Sequence, residues 1–379
     1  MKILQIPKEI ESLIENSLNL WKRENLYTFA KLSYKIAERL KKGEPFRKNP
    51  EDALPYLFYF FPKTFISNYI VLGEIEDWIE KTIREKKEMN FYDIASGTGS
   101  GTISFLYKLK KIQNLQNKAK INIFLQDISP TALEIAKILS QNLSKDLPYN
   151  IKISTYTRDS AKIYFDTNPD LVVLSFSIYD IFGNDIEEIK IWCRKVLKSL
   201  DKNGLFVMVE PASKKTTSRI IMEIRNEFRG HVLSPCTHLK DCPLLKKGDW
   251  CHFGTQWTPP LYLSRAMNMV GLRTPNINFS FVILSKEEID KKDEKYARVV
   301  SHRLEEKGKI TFWTCEKGSK IKYYTLNKNI SEANKKIESV KMGDIILIQN
   351  AHQRKNNEYE IAQDSTVEIK RRLIDEGPQ

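Results

Sequence analysis

Three cysteines lie close together in a chain that has only five in 379 residues. Cys236, Cys242 and Cys251 follow one another with the spacing Cys-x5-Cys-x8-Cys. Thiolates are soft ligands, so a group of them suits zinc or an iron–sulfur centre. The spacing therefore predicts a metal site, and it leaves both kinds of centre open.

A site with four ligands needs one more side chain than these three cysteines. His238 and His252 are candidates inside the same stretch, and Cys193 and Cys315 are candidates elsewhere. Cys193 lies in a segment with helical apolar spacing, which favours a small buried residue. Cys315 lies in a short β-like run, and its pattern fits a core residue as well as a ligand.

A glycine-rich loop is the second chemical feature, in the sequence Asp-Ile-Ala-Ser-Gly-Thr-Gly-Ser-Gly. It follows an apolar run typical of a strand and precedes a helical pattern, so its glycines allow a tight turn and close approach of a ligand. The loop resembles motif I of the class I S-adenosylmethionine methyltransferases, with alanine in place of the first glycine. The resemblance implies cofactor contacts by Asp93, Ala95, Ser96, Gly97, Gly99 and Gly101.

Acidic residues end the two strands predicted after this loop. Asp127 ends the first of them, where a carboxylate would bind ribose hydroxyls. Asp159 follows the next strand and is either a partner for the adenine amine or a surface loop residue, and Ser175 at the end of the fourth strand is a further cofactor candidate. An NAD-binding unit is the alternative, but the Gly-x-Gly-x-x-Gly spacing is not met. No general base or nucleophile stands out, so the catalytic residues stay unknown.

The elements that must position these residues form an α/β pattern within residues 89–290. Strands are predicted at 91–95, 121–126, 151–156, 171–176 and 205–209, with helices near 101–112, 130–143, 185–200 and 214–228. Unbroken apolar strands separated by helices predict a parallel, Rossmann-like sheet of the class I methyltransferase type. The cysteine-rich residues 231–277 are predicted to be an insertion before a late strand at 279–285.

The flanking segments differ in character from this central part. Residues 1–88 show helical apolar periodicity and predict an N-terminal helical domain. Residues 291–355 show strand-like alternation and predict a small C-terminal β-domain, followed by a polar tail at 356–379.

The composition narrows the class of partner. A net charge of +13 favours a polyanion such as nucleic acid over a role in solubility alone. Few cysteines argue against a disulfide scaffold, and no apolar run reaches the length of a membrane span. The N-terminal residues lack the pattern of a signal peptide, so a cytoplasmic location without membrane contact is expected, with the mitochondrial matrix as the alternative.

The cysteine stretch resembles a methyltransferase-like family of small-ribosomal-subunit assembly proteins, with mitochondrial members and prokaryotic relatives. The resemblance is carried by residues 235–244 (Pro-Cys-Thr-His-Leu-Lys-Asp-Cys-Pro-Leu), 250–253, 209–211 and the glycine loop, with weaker traces at 53–56 and 61–65. It implies S-adenosylmethionine as cofactor and a 4Fe–4S cluster held by Cys236, Cys242, Cys251 and Cys315, with zinc as the alternative.

The resemblance also implies the partners. We expect an rRNA-binding methyltransferase-like factor that acts on the pre-ribosomal small subunit and is a monomer when free. The alternatives are a catalytically inactive rRNA-binding module that retains the cofactor fold and a zinc-stabilised methyltransferase.

Overall fold

The computed structural model describes residues 4–20, 22–42, 53–112, 119–212, 215–271, 276–290 and 295–374. The helices are α1 (Lys8–Leu18), α2 (Arg23–Lys41), α3 (Ala53–Tyr59), α4 (Phe61–Gly73), α5 (Glu76–Lys86), α6 (Ser100–Lys111), α7 (Pro130–Ser144), α8 (Ile178–Phe182), α9 (Ile186–Ser199), α10 (Lys215–Glu227), α11 (Pro243–Lys246) and α12 (Leu261–Val270). The strands are β1 (Glu88–Ile94), β2 (Lys120–Asp127), β3 (Asn150–Thr157), β4 (Leu171–Ser175), β5 (Leu205–Pro211), β6 (Val232–Ser234), β7 (Phe253–Gln256), β8 (Asn276–Ser285), β9 (Ala297–Val299), β10 (Leu304–Glu306), β11 (Lys309–Glu316), β12 (Ser319–Leu326), β13 (Ile345–Gln349), β14 (His352–Lys355), β15 (Glu358–Glu360) and β16 (Thr366–Arg371).

The chain divides into two compact units. The first consists of residues 1–210 and 255–277, and the second of residues 211–254 and 278–375. The four-part domain division predicted from the sequence stays a prediction.

The first unit contains a parallel sheet with the strand order β3-β2-β1-β4-β5. Its central strands are apolar on both faces, and every residue of β4 is buried. The order reverses between β1 and β4, which is the switch point where open α/β sheets bind ligands. The predicted Rossmann-like α/β class is therefore confirmed.

The N-terminal helices belong to the first unit. Within the segment predicted to be helical, the structure has α3, α4 and α5 between residues 53 and 86. Pro62 lies in the first turn of α4, where its missing N–H costs no helical hydrogen bond. None of the helices within the described ranges is long and apolar enough to cross a membrane.

The second unit contains a β-sheet with the order β14-β15-β12-β11-β9-β13-β16, and β10 pairs with β11. β11 and β12 form an antiparallel hairpin from Lys309↔Leu326 to Glu316↔Ser319. Lys317 and Gly318 form its turn with φ values of 48° and 77°, the conformation that matches the twist of paired strands.

The tail predicted at 356–379 is folded as far as the structure describes it. β15 pairs with β12 and β14, and β16 pairs with β13. Val367 and Ile361 are buried in the core of this sheet, while most neighbouring side chains are polar and at least partly exposed. Strands with so few buried side chains show little apolar periodicity. For this reason the polar sequence of residues 356–379 predicted a tail.

Candidate functional site

A pocket lies at the carboxyl ends of β1, β2 and β4 in the first unit. Its volume is about 870 Å³, including the part open to solvent. The lining residues are Ala53, Tyr56, Ala95, Ser96, Gly97, Thr98, Ser100, Asp127, Ile128, Ser129, Ala132, Asp159, Ser160, Ser175, Phe176, Ser177, Asp180 and Ile181.

The glycine loop forms the floor of this pocket with Ala95, Ser96 and Gly97. Gly99 has a φ of 86°, and a Cβ there would lie 2.8 Å from the Cβ of Ala136, so the loop packs directly on α7. Among the residues predicted as cofactor contacts, Asp93, Gly99 and Gly101 lie outside the pocket lining.

Asp93 lies behind the glycine loop and binds the start of α6. The side chain is 1% exposed, and its Oδ2 accepts hydrogen bonds from the backbone N–H and the hydroxyl of Thr102, both at 2.8 Å. Burial raises the pKa of Asp93 to about 7. The structure thus places this acid against the first turn of α6 and behind the loop.

Asp127 is positioned by the same loop. Its Oδ2 accepts from the N–H of Gly97 at 2.8 Å, and its Oδ1 accepts from the N–H of Ser129 at 2.9 Å. Burial raises its pKa despite these bonds. A carboxylate has about four acceptor positions, so these backbone bonds leave capacity for a ligand hydroxyl. Asp159 also lines the pocket, with its Oδ1 3.0 Å from the N–H of Ala161.

The β4 end of the pocket is conformationally strained. Phe176 has a φ of 56°, which is rare for a bulky residue and clusters at functional sites. Glu210 holds the following turn, because its Oε1 accepts from the N–H groups of Ser177 and Ile178 at 2.9 Å each. Burial raises the pKa of Glu210 to about 8. Ser175 lines the pocket and donates its hydroxyl to Asn68 Oδ1 at 2.6 Å.

Several polar residues of the lining were not predicted from the sequence, among them Tyr56 and Asp180. Tyr56 lies on α3 and faces the loop, 4.0 Å from where a Cβ on Gly97 would be. The motif Ala-Leu-Pro-Tyr at 53–56 was the available signal, but the N-terminal segment showed no chemistry by itself.

Two buried hydroxyls in the pocket indicate that it fits a polar ligand. Ser96 Oγ and Thr98 Oγ1 line the pocket, are buried, and have no hydrogen-bond partner in the structure. Buried polar atoms without partners are costly, so a bound ligand with polar groups would satisfy them. The donor set therefore fits an adenosyl cofactor with hydroxyl, amino and carboxylate groups.

A second cavity lies in the second unit, and all four candidate cysteines line it. It has a volume of about 500 Å³ including open solvent, and its other walls are mainly apolar. Cys236, Cys242, Cys251 and Cys315 come from the cysteine stretch and from β11. No group of three or more His, Cys, Asp or Glu side chains in the described ranges has the arrangement of a ready-made metal-ion site.

The thiols affect one another electrostatically. Burial, followed by the Cys242 and Cys236 thiols, raises the pKa of Cys251 well above its ordinary value. Burial and the other three thiols do the same for Cys315. A cationic centre would offset this mutual repulsion, since coordination deprotonates thiols. Four thiols that line one cavity are the type of donor that zinc and iron–sulfur centres use.

The other candidate ligands have different positions. Cys193 is buried in α9, 3.9 Å from the sulfur of Met208. His238 is fully buried, with Nε2 3.4 Å from Cys315 Sγ, and His252 stacks on Trp250. Arg225 and Arg298 also line the cavity, and no motif in the sequence indicated either of them.

The strand order, the glycine loop and the carboxylates after β2 and β3 define a Rossmann-like protein of the methyltransferase type. Residues 50–347 match the model of a family described as "mitochondrial small ribosomal subunit Rsm22". The chain therefore belongs to the Rsm22 family, and the resemblance predicted from its cysteine motif is confirmed.

Solved structures share parts of this architecture. An rRNA methylase from Streptococcus thermophilus is 11% identical, with a TM-score of 0.30 over 56% of this chain and 94% of its own. A Listeria monocytogenes protein assigned to the class I S-adenosylmethionine-dependent methyltransferases is 12% identical, with a TM-score of 0.38 over 75% and 88%. The N-methyltransferase NodS from Bradyrhizobium japonicum, in complex with S-adenosyl-L-homocysteine, is 12% identical, with a TM-score of 0.31 over 56% and 86%. At these scores the similarities carry no argument about activity. No curated protein matches the chain.

Proposed function

We propose that this chain is an S-adenosylmethionine-binding, methyltransferase-like factor of the small ribosomal subunit that binds rRNA and carries a 4Fe–4S cluster. The observation that carries the proposal is one pocket lined by the glycine loop, Asp127 and Asp159 in a member of the Rsm22 family.

Different pocket residues would bind different parts of the cofactor. Asp127 would accept from the ribose hydroxyls, Asp159 would accept from the adenine amine, and Ser96 would bond polar groups of the methionine end. When bound, S-adenosylmethionine supplies an electrophilic methyl group on a sulfonium. The chain's own contribution is to orient the two reactants and to exclude water, which lowers the entropic part of the barrier.

The four thiols that line the second cavity support the cluster assignment. Cys236, Cys242, Cys251 and Cys315 would hold it, with a structural role that contributes to folding of the second unit. Zinc on the same thiols is the second candidate.

The family description and the net charge of +13 support the ribosomal part of the proposal. Phosphate contacts by lysine and arginine would supply most of the affinity for rRNA and make it salt-dependent. The description of the family as mitochondrial favours the matrix, the second of the two predicted locations. We further propose that the chain is monomeric when free.

Calorimetry with S-adenosylmethionine tests the pocket. Asp127→Ala should weaken binding by about tenfold or more, because the variant loses a charge-assisted bond to the ribose and the bond that holds Gly97. Asp146→Ala is the control, since Asp146 is exposed in a turn away from the pocket lining. Equal affinity of all three proteins would refute the ribose assignment.

Metal analysis of anaerobically purified protein tests the cluster. Iron and sulfide in equal amounts, with their loss in Cys315→Ser, are the expected result. Stoichiometric zinc without iron would select the zinc alternative. Loss of a methyl mark on small-subunit rRNA in a deletion strain would show that methyl transfer occurs, and rRNA binding without any lost mark would select the inactive module.

A further inference from the structure

One side of α10 faces the cysteine stretch. This side of the helix carries Met222 and the residues three and four positions after it, Arg225 and Asn226. The sulfur of Met222 accepts from the N–H of Cys251 at 3.1 Å, and Asn226 Oδ1 accepts from the N–H of Cys242 at 2.8 Å. Nε of Arg225 donates to the sulfur of Cys236 at 3.2 Å. A single helix thus contacts three of the four cysteines.

Arg225 makes the most extensive of these contacts. Its guanidinium is 3% exposed, Nη1 donates to the carbonyl of Lys240 at 2.5 Å, and Nη2 donates to the carbonyl of His238 at 2.7 Å. The planar fork of an arginine fixes several acceptors at once. Because Nε2 of His238 lies 3.4 Å from Cys315 Sγ, the contacts of Arg225 extend to the fourth thiol.

The charge of Arg225 needs compensation. A buried cation is costly unless it is paired. Its hydrogen bonds go to neutral oxygens, to His238 and to the sulfur of Cys236. Four thiolates around a dipositive core carry a net negative charge, so a loaded centre would be the counter-charge.

We propose that Arg225 is the positioning residue of the cysteine centre. Its bond to Cys236 and its two carbonyl contacts hold the cysteine loop in place, and its charge would offset that of the thiolates in a loaded centre. The inference rests on the proposed metal centre, whichever metal fills it. Positioning residues of this kind typically change metal affinity by about 10–100-fold and set the reduction potential of clusters.

The test compares Arg225→Gln and Arg225→Lys with Arg84→Gln in the full chain, purified anaerobically. Arg84 is an exposed arginine on α5 that pairs with Glu80, so its variant makes the same charge change outside the cavity. Metal release to a chelator should be about 10–100-fold faster in Arg225→Gln. Arg225→Lys should show a smaller increase because it keeps the charge, and Arg84→Gln should match the wild type.

A redox titration adds a readout that general weakening of the fold would not produce. The reduction potential of an iron–sulfur centre should fall in Arg225→Gln and stay closer to the wild-type value in Arg225→Lys, because the added electron loses its neighbouring positive charge. Release rates and potentials equal to those of the wild type in Arg225→Gln would overturn the inference.

Two further outcomes separate this inference from the proposed function. Zinc without iron in the wild type would reject the cluster. The rate of zinc release from the Arg225 variants, compared with that from the wild type, would then test the inference. If Arg225→Gln does not fold, Arg225→Lys decides, since lysine keeps the charge but cannot bond the Cys236 sulfur and both carbonyls at once. Faster metal release from this folded variant supports the inference, and an unchanged rate contradicts it.

Discussion

Buried carboxyl groups hold the cofactor pocket in shape. Asp93 fixes the start of α6, and Glu210 fixes the strained turn after β4. The sequence indicated Asp127 and Asp159 because both follow predicted strands, and the structure places both in one pocket. It could not indicate Tyr56 or Arg225, since their roles depend on packing between segments distant in the chain.

Glu210 predicts a pH dependence of stability. Its pKa is about 8 in the folded chain against an ordinary value of 4.5, so the folded state binds the proton more tightly. The resulting stabilisation is complete below the unfolded pKa and is lost as the pH rises through the folded value. Urea unfolding from about pH 5 to 8 should therefore show a steeper fall in the free energy of unfolding for the wild type than for Glu210→Gln, by a few kcal/mol in total.

The amide oxygen of glutamine can still accept from Ser177 and Ile178, so Glu210→Gln removes mainly the titration. Glu187→Gln is the control, because Glu187 is 71% exposed on α9 and should keep the wild-type slope. The pKa of Asp93 is also raised, to about 7, so part of the pH dependence of the free energy of unfolding should remain in Glu210→Gln. Parallel curves for all three proteins would contradict the assignment.

At the scale of elements, strands with long apolar runs could be predicted from the sequence, and strands with many polar residues could not. β1, β2, β4 and β5 were located within a few residues, because strands buried on both faces are rich in apolar residues. The edge strand β3 has no buried residue and was located by its place in the alternation of strands and helices. β14, β15 and β16 were missed, because many of their side chains are polar and at least partly exposed. Spacing alone indicated three of the cavity's thiols, which are close in sequence, whereas the fourth lies on a separate hairpin and was indicated only by the family resemblance.

The β11–β12 turn predicts a packing effect on the cysteine stretch. A Cβ at Gly318 would lie 2.9 Å from the Cβ of Lys240, and Gly318 has a φ of 77°. Gly318→Ala should lower the free energy of unfolding by about 2–4 kcal/mol, from backbone strain plus overpacking. Gly308→Ala is the matched control, because Gly308 has a φ of 75° with nothing within 4 Å, so only the strain of about 1 kcal/mol applies. Equal losses in urea unfolding would show that contact with Lys240 is unimportant.

At the scale of the whole molecule, the two kinds of chemistry lie in different units. Every lining residue of the cofactor pocket belongs to the first unit, and every cavity-lining cysteine belongs to the second. A ligand that binds only the folded state stabilises the unit that holds it. Loading of each centre should therefore be measurable separately.

Chelation of a metal held by the four cavity thiols should loosen only the second unit. Amide exchange should rise in residues 211–254 and 278–374 of the described chain, and the affinity for S-adenosylmethionine should stay within about twofold of the loaded protein, because the thiols contribute to folding of their own unit. Cys315→Ser should reproduce the exchange pattern without a chelator. An equal rise in both units would contradict this separation.

The position of Cys315 on β11 has a consequence during translation. Cys251 and Cys315 are 64 positions apart, so a ribosome that adds about 5–20 residues per second delivers the last sulfur roughly 3–13 s after the third. For that interval the nascent chain presents an incomplete and oxidisable set of thiols. A centre held by all four thiols could therefore be completed only after β11 has been synthesised.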